Sequence, residues 1–166
     1  MPVLIAIPFL TLLVIFQSAI FSQVRILHGT ADLVLLALIA WPLQEKVRAA
    51  WQWTIIGGLM VSLVSALPLG VPLIGYLMTT GLAGMLKQRV WKVPILAMFV
   101  VTFIGTLITH GTSLLALLLK GSSIALIEAL NQITLPSLLL NLILAVPMYI
   151  IVADLAGWLY PKELEV

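Results

Sequence analysis

The chain has 166 residues, of which 63% are hydrophobic and 8% charged, where soluble domains carry about 45–50% apolar and about 25% charged residues. A fold of this size cannot hide so much apolar side chain from water, so the solvent is lipid, and a single transmembrane helical domain over 1–166 is expected. Eight basic and six acidic residues give +2, too few and too scattered for a nucleic-acid partner, and the absence of cysteine excludes disulfide frameworks and thiolate chemistry.

Crossing about 30 Å of hydrocarbon takes about 20 apolar helical residues, and cutting the chain at its charges and turn residues gives six segments. Residues 1–24 carry no charge. Pro2 to Phe21 is long enough to span, and with no basic leader it is expected to remain as an anchor and not to be cleaved as a secretory signal. Thr30-Ala31-Asp32 offers an N-cap for a second helix, Leu33 to Leu43, which is short for a crossing unless it starts nearer Ile26. Pro68-Leu69-Gly70-Val71-Pro72 divides the uncharged run 49–86 into helix three, about Trp51 to Leu67, and helix four, about Val71 to Leu86, as an antiparallel hairpin. Val93 to Leu119 makes a fifth helix, long or broken at His110-Gly111-Thr112-Ser113. Ile124, Ile127 and Leu130 share a helical face beside Glu128 and Asn131, the pattern of a short helix lying on the membrane. Thr134-Leu135-Pro136 opens the last span with proline in its first turn. Leu138 to Trp158 completes it, and Pro147 is expected to kink it.

Short loops rich in Lys and Arg stay cytoplasmic. With six crossings, Lys46, Arg48, Lys87, Arg89, Lys92 and Lys162 fall on one side and Arg25 and Lys120 on the other, so both termini are expected in the cytoplasm. Five crossings would move only Lys162, so charge favours an even count without proving it. Trp41, Trp51, Trp53, Trp91 and Trp158 fall near the cytoplasmic ends, where indole rings prefer the headgroup level.

Ionisable residues inside hydrocarbon are costly and mark candidate sites. Asp32, His110 and Asp154 lie within or near spans, with Glu45, Glu128, Glu163 and Glu165 in loops or tail, and no two stand at metal-ligand spacing. His110 is about 27 Å along a helix from Lys92, near the outer interface, where a wetted or capped histidine is favoured over a proton relay. Ser113 and Ser123 closely follow glycines, yet no Gly-x-Ser-x-Gly and no phosphate-cradling glycine motif is present. No catalytic, cofactor or metal site is expected, and the chain reads as a non-enzyme. Asp32 reads first as a helix cap at a favourable dipole end and second as a partner contact. Asp154 pairs either with Lys162 or with a basic residue of another chain.

In lipid, close backbone approach and interhelical polar contacts replace the hydrophobic drive. Gly58, Ser62 and Ala66 repeat at every fourth position of helix three with Ser65 alongside, and Thr80 and Gly84 do so on helix four beside Gly81. The first reading packs these faces together inside the hairpin, and the second makes them a docking face. Asn141 and Pro147 mark either an internal hydrogen bond and kink or a site for a second membrane protein. The candidate partner-binding residues are therefore Gly58, Ser62, Ala66, Asp32, Asn141 and Asp154.

The stretch Gly57-Gly58-Leu59-Met60-Val61-Ser62-Leu63-Val64-Ser65-Ala66-Leu67-Pro68-Leu69-Gly70 resembles the rod shape-determining protein MreD family. Ala31-Asp32-Leu33-Val34-Leu35-Leu36 is similar to the start of that family's second helix, and Pro136-Ser137-Leu138-Leu139-Leu140-Asn141 with Pro147 is similar to its last helix. Ser62 stands where the family often has an acidic residue, and Ala31 where proline is usual. The resemblance implies a bacterial inner-membrane protein without catalytic activity. It also implies association with the bitopic protein MreC and, through it, with RodA and a class B penicillin-binding protein, with MreB on the cytoplasmic side. On this reading a bulky Ser62→Leu reduces co-purification of MreC while leaving expression intact.

The alternative is a substrate-binding subunit resembling the S-component of energy-coupling factor vitamin transporters, with polar contacts from His110, Thr112, Ser113 and the segment Gly121 to Asn131. That family's Ala-x-x-x-Ala on helix one is missing between Pro2 and Phe21. A flippase or channel is disfavoured because neither a ring of charge nor a pair of broken helices is present.

Overall fold

The computed structural model describes residues 2–21, 28–47, 50–89 and 93–161, and the fold is 83% helix with no strands among them. Helix α1 (Pro2–Phe16) runs into a π turn, Gln17–Phe21. It is followed by α2 (Leu33–Leu43), α3 (Trp51–Val64), α4 (Val71–Arg89) and α5 (Pro94–Leu119). The short α6 (Leu126–Ala129) then passes through a second π turn, Leu130–Thr134, into α7 (Leu135–Leu159).

A helix apolar on every side belongs in an interior, and α2 has that composition. All eleven of its residues are buried, enclosed by α1, α3, α4, α5 and α7. Its N-terminus is fixed by Asp32, which has extended-side dihedrals (φ −109°, ψ 88°) and accepts a bond from the Leu35 amide, so no helix continues back toward Ile26, which lies outside the described residues. At about 17 Å, α2 is too short to cross about 30 Å of hydrocarbon. Among the described residues two helices, Pro94–Leu119 and Leu126–Leu159, are long and apolar enough to cross unaided, while Val3–Ala19, Leu33–Leu43 and Trp51–Val64 are shorter apolar helices. Length and composition thus mark two crossings where the sequence pattern leads to six.

One open alternative is decided and two expectations need correction. Helix α5 is unbroken through His110-Gly111-Thr112-Ser113. The hydroxyls of Thr109, Thr112 and Ser113 bond back to the carbonyls of Gly105, Thr109 and Thr109 at 3.0, 3.0 and 2.7 Å, which absorbs their polarity without leaving the helix. The segment around Glu128 is not a separate surface helix: α6 joins α7 into one rod, Leu126–Leu159. The π turn accompanies Pro136, which has no N–H to give to the Gln132 carbonyl, and that oxygen accepts the His28 amide at 3.0 Å instead. Finally, Trp41 and Trp53 do not face the surroundings of the bundle as headgroup anchors would. They are each 1% exposed and stack at 3.8 Å with an interplanar angle of 17°, whereas Trp51 and Trp158 are exposed and Trp91 lies outside the described residues.

The hairpin between α3 and α4 turns at Gly70, whose φ of +90° suits glycine. Below it the helices touch at Gly58, where an added Cβ would lie 2.9 Å from the Leu73 Cα. One end of the bundle gathers the ends of α2, α4 and α7. There the Lys87 ammonium donates to the carbonyls of Gln44, Glu45 and Val47, and Lys46 Nζ donates to the Tyr160 carbonyl at 2.8 Å. The opposite end brings Thr30, His110, Ser113, Thr134 and Ser137 around one cavity of about 270 Å³.

Candidate functional site: a buried polar cluster around Asp32

The backbone from Gly29 to Asp32 is not helical, so its amides need partners that a helix would have supplied. Non-helical backbone among membrane helices is tolerated where protein encloses it. Helix α7 provides the enclosure. Gly29 presses onto it so closely that a Cβ would come within 2.6 Å of both Pro136 Cβ and the Ser137 nitrogen. The Thr30 amide donates to Ser137 Oγ at 3.0 Å, and the Asp32 amide donates to Asn141 Oδ1 at 2.8 Å. Ser137 and Asn141 stand four apart on one face of α7, the spacing that places both along a single line of backbone.

The side chains of this cluster meet partners of the right chemistry. An amide N–H only donates, so Asn141 must present its oxygen to Asp32, which leaves Nδ2 to donate to Thr106 Oγ1 at 3.0 Å. Thr106 in turn donates to the Thr102 carbonyl at 2.8 Å. The Asp32 carboxylate accepts from the Leu35 amide at 2.9 Å through Oδ1 and from the Tyr76 hydroxyl at 2.7 Å through Oδ2. Gln17 Oε1 accepts the Val34 amide at 3.3 Å, which ties α1 to the start of α2. Asp32 thus performs the capping role that the sequence favours, and it also clamps α4 through Tyr76. Tyr76→Phe removes one hydrogen bond to a half-buried carboxylate and is expected to cost about 1–2 kcal/mol, read as a lower unfolding midpoint in detergent with the helical spectrum unchanged.

The remaining candidates divide by exposure. Gly58 is packed on Leu73. Ser62 is 4% exposed, and its Oγ, like Thr102 Oγ1, is buried without a hydrogen-bond partner among the described residues. Asn141 is fully buried. Ala66, expected on helix three, lies beyond the end of α3 at Val64 and is exposed, so it does not continue the helical face of Gly58 and Ser62; Asp154 is exposed too, and Lys162, its proposed partner, lies outside the described residues. Ser62→Leu would overpack the hairpin, so it cannot report on docking. His110 Nδ1 lies 3.2 Å from Thr134 Oγ1, a contact within the chain. The Thr80 hydroxyl of α4 and the Thr54 hydroxyl of α3 bond to each other at 2.8 Å, whereas Gly81 and Gly84 on α4 face open space. No group of three or more acidic or histidine residues suited to a metal occurs among the described residues.

Sequence reasoning missed Gln17, Tyr76, Thr106 and Ser137. Gln17 and Tyr76 each interrupt a long apolar run, and Ser137 shares a face with Asn141, so each carried a weak signal but no indication of its partner.

Neither a curated protein nor a solved structure matches the chain, and nothing in the comparisons supports the vitamin-transporter alternative. The family model described as rod shape-determining protein MreD matches residues 1–157. With that match over nearly the whole of an all-helical fold, the chain belongs to the MreD family of membrane proteins, whose role is rod shape determination.

Proposed function

We propose that the chain is a non-catalytic scaffold of the bacterial cell-elongation (rod) complex. It is a multi-pass protein of the cytoplasmic membrane that binds MreC. Directly or through MreC, it positions RodA and a class B penicillin-binding protein for lateral-wall peptidoglycan synthesis, with the MreB filament on the cytoplasmic side. The observation that carries this reading is the family match over residues 1–157. The chemistry of the interior is compatible with it, because the polar groups of Asp32, Tyr76, Thr106 and Asn141 are spent on one another. A six-pass arrangement with Lys46 and Lys87 at the cytoplasmic face accords with the gathering of α2, α4 and α7 at one end.

Ala66 and Asp154 are the candidate contacts that remain accessible. Ala66→Leu and Asp154→Asn, tested separately, are expected to leave folding intact. At least one of them should lower co-purified MreC about fivefold, the equivalent of about 1 kcal/mol that separates contributing from neutral interface residues. Undiminished MreC with both variants, or no MreC with the unaltered protein, speaks against the proposal.

A further inference from the structure

The central helix α2 stands inside a ring of helices. Around it α1 packs on α3, α3 on α4, α4 on α5 and α5 on α7, but α7 and α1 barely touch, which leaves a seam in the ring. A groove of about 280 Å³ runs along this seam. Leu12 and Phe16 of α1 form one wall, Leu144, Pro147 and Ile151 of α7 the other, and Leu33 lies at the floor. We propose that a partner's single transmembrane helix lies along the seam with a lysine or arginine against Asp154. The inference rests on the scaffold reading, under which that helix belongs to MreC, and adds to it the face and the charge.

Spacing argues for a helix. Ile143, Pro147, Ile150, Asp154 and Gly157 are all exposed and follow one another at alternating intervals of four and three residues, the repeat of a seam between two packed helices. They cover about 21 Å of α7, most of a hydrocarbon core of about 30 Å. At Gly157 an added Cβ meets no atom within 4 Å, so a second backbone can come close there. Pro147 belongs to both the face and the groove, so the side chains of a helix on this face reach the groove.

Charge argues for a cation on that helix. Asp154 is the one charged residue between Leu135 and Leu159, and Pro2 to Phe21 carries none. It stands about 6 Å deeper along α7 than Trp158, which is 71% exposed and suits the headgroup level. No hydrogen bond or ion pair joins it to another described residue. A carboxylate facing hydrocarbon is costly unless paired, and a polar residue in such a repeat fixes the register of two helices. Asp154 lies toward the end where Lys46 meets the Tyr160 carbonyl, the cytoplasmic end of the six-pass arrangement. Single spans carry their Lys and Arg on that side, so a partner's cation arrives at the same end as Asp154.

The test is photocrosslinking in the full chain co-expressed with tagged MreC. Benzoylphenylalanine replaces, one at a time, Ile150 and Leu12 on this face, and Phe103 of α5 and Met78 of α4, which are also exposed. MreC is expected on Ile150 and Leu12 and absent from Phe103 and Met78. Asp154→Lys is expected to lower co-purified MreC about tenfold, since like charges across an interface repel. Exchanging the lysine or arginine at the cytoplasmic end of the MreC span for glutamate is expected to restore it. If the unaltered protein retains MreC, four results overturn this proposal alone: no MreC on Ile150, a second copy of this chain in its place, MreC undiminished by Asp154→Lys, or a loss that the exchange leaves in place. No MreC on the unaltered protein overturns the scaffold reading, and this proposal with it.

Discussion

Replacing Asn141 with leucine is expected to destabilise the bundle by about 3 kcal/mol. Leucine shares the branched outline of asparagine but is bulkier, so some overpacking adds to the main loss. The loss comes from bonding: Asn141 receives the Asp32 amide at 2.8 Å and donates to Thr106 at 3.0 Å, and leucine does neither. A typical interhelical hydrogen bond in a membrane protein is worth only about 0.6 kcal/mol, because the separated helices find other partners. The Asp32 amide is different, since it belongs to non-helical backbone enclosed by protein, and a buried donor left without a partner costs about 1–3 kcal/mol. Reversible unfolding in mixed detergent micelles measures the difference. A loss below about 1 kcal/mol would mean that water or another side chain takes over.

Gly29→Ala is expected to do comparable damage through sterics, while Gly111→Ala on α5 should be harmless. At Gly29 the new methyl would sit 2.6 Å from the Pro136 ring and the Ser137 nitrogen. Neither is the free end of a flexible side chain, so the whole strap from His28 to Asp32 must lift away from α7. Its bonds to Gln132, Ser137 and Asn141 are then all lengthened. Overpacking typically costs 1–3 kcal/mol, and a backbone clash belongs at about the upper end of that range. At Gly111 the added methyl meets nothing within 4 Å, and alanine is the better helix former by about 1 kcal/mol. Thermal melting of the two variants side by side checks the contrast, and equal stability of both would mean that the strap does not rest on α7 as described.

Local chemistry was legible in the sequence. The start of α2 at Leu33 follows from the capping side chain of Asp32, and the α3–α4 turn follows from its prolines and Gly70; both are decided within a few residues. What could not be read depends on contacts distant in sequence. His110 to Ser113 look like a break until the hydroxyls of Thr109, Thr112 and Ser113 are seen to bond back along their own helix. The amphipathic look of residues 124–130 conceals that α6 feeds directly into α7. Trp41 and Trp53 resemble interfacial anchors, and only the fold brings them face to face in the core. Asp32 is legible as a cap, but its second bond comes from Tyr76, 44 residues away, and periodicity holds no trace of that pairing. Of the packing faces, Gly58 meets Leu73 inside the hairpin, whereas Gly81 and Gly84 line open space, a distinction that identical small-residue spacing cannot make.

The central claim is that the half-buried Asp32 carboxylate and its neighbours hold helices in place and take no part in proton transfer or turnover. Asp32→Asn separates the two roles, because an asparagine can still cap α2 through its oxygen but cannot carry a proton as a carboxylate does. The decisive measurement is cell shape together with MreC co-purification in cells whose only family member is the Asp32→Asn protein. Rod-shaped cells with undiminished MreC are the predicted result. Rounded cells containing a normal amount of folded Asp32→Asn protein would contradict the account.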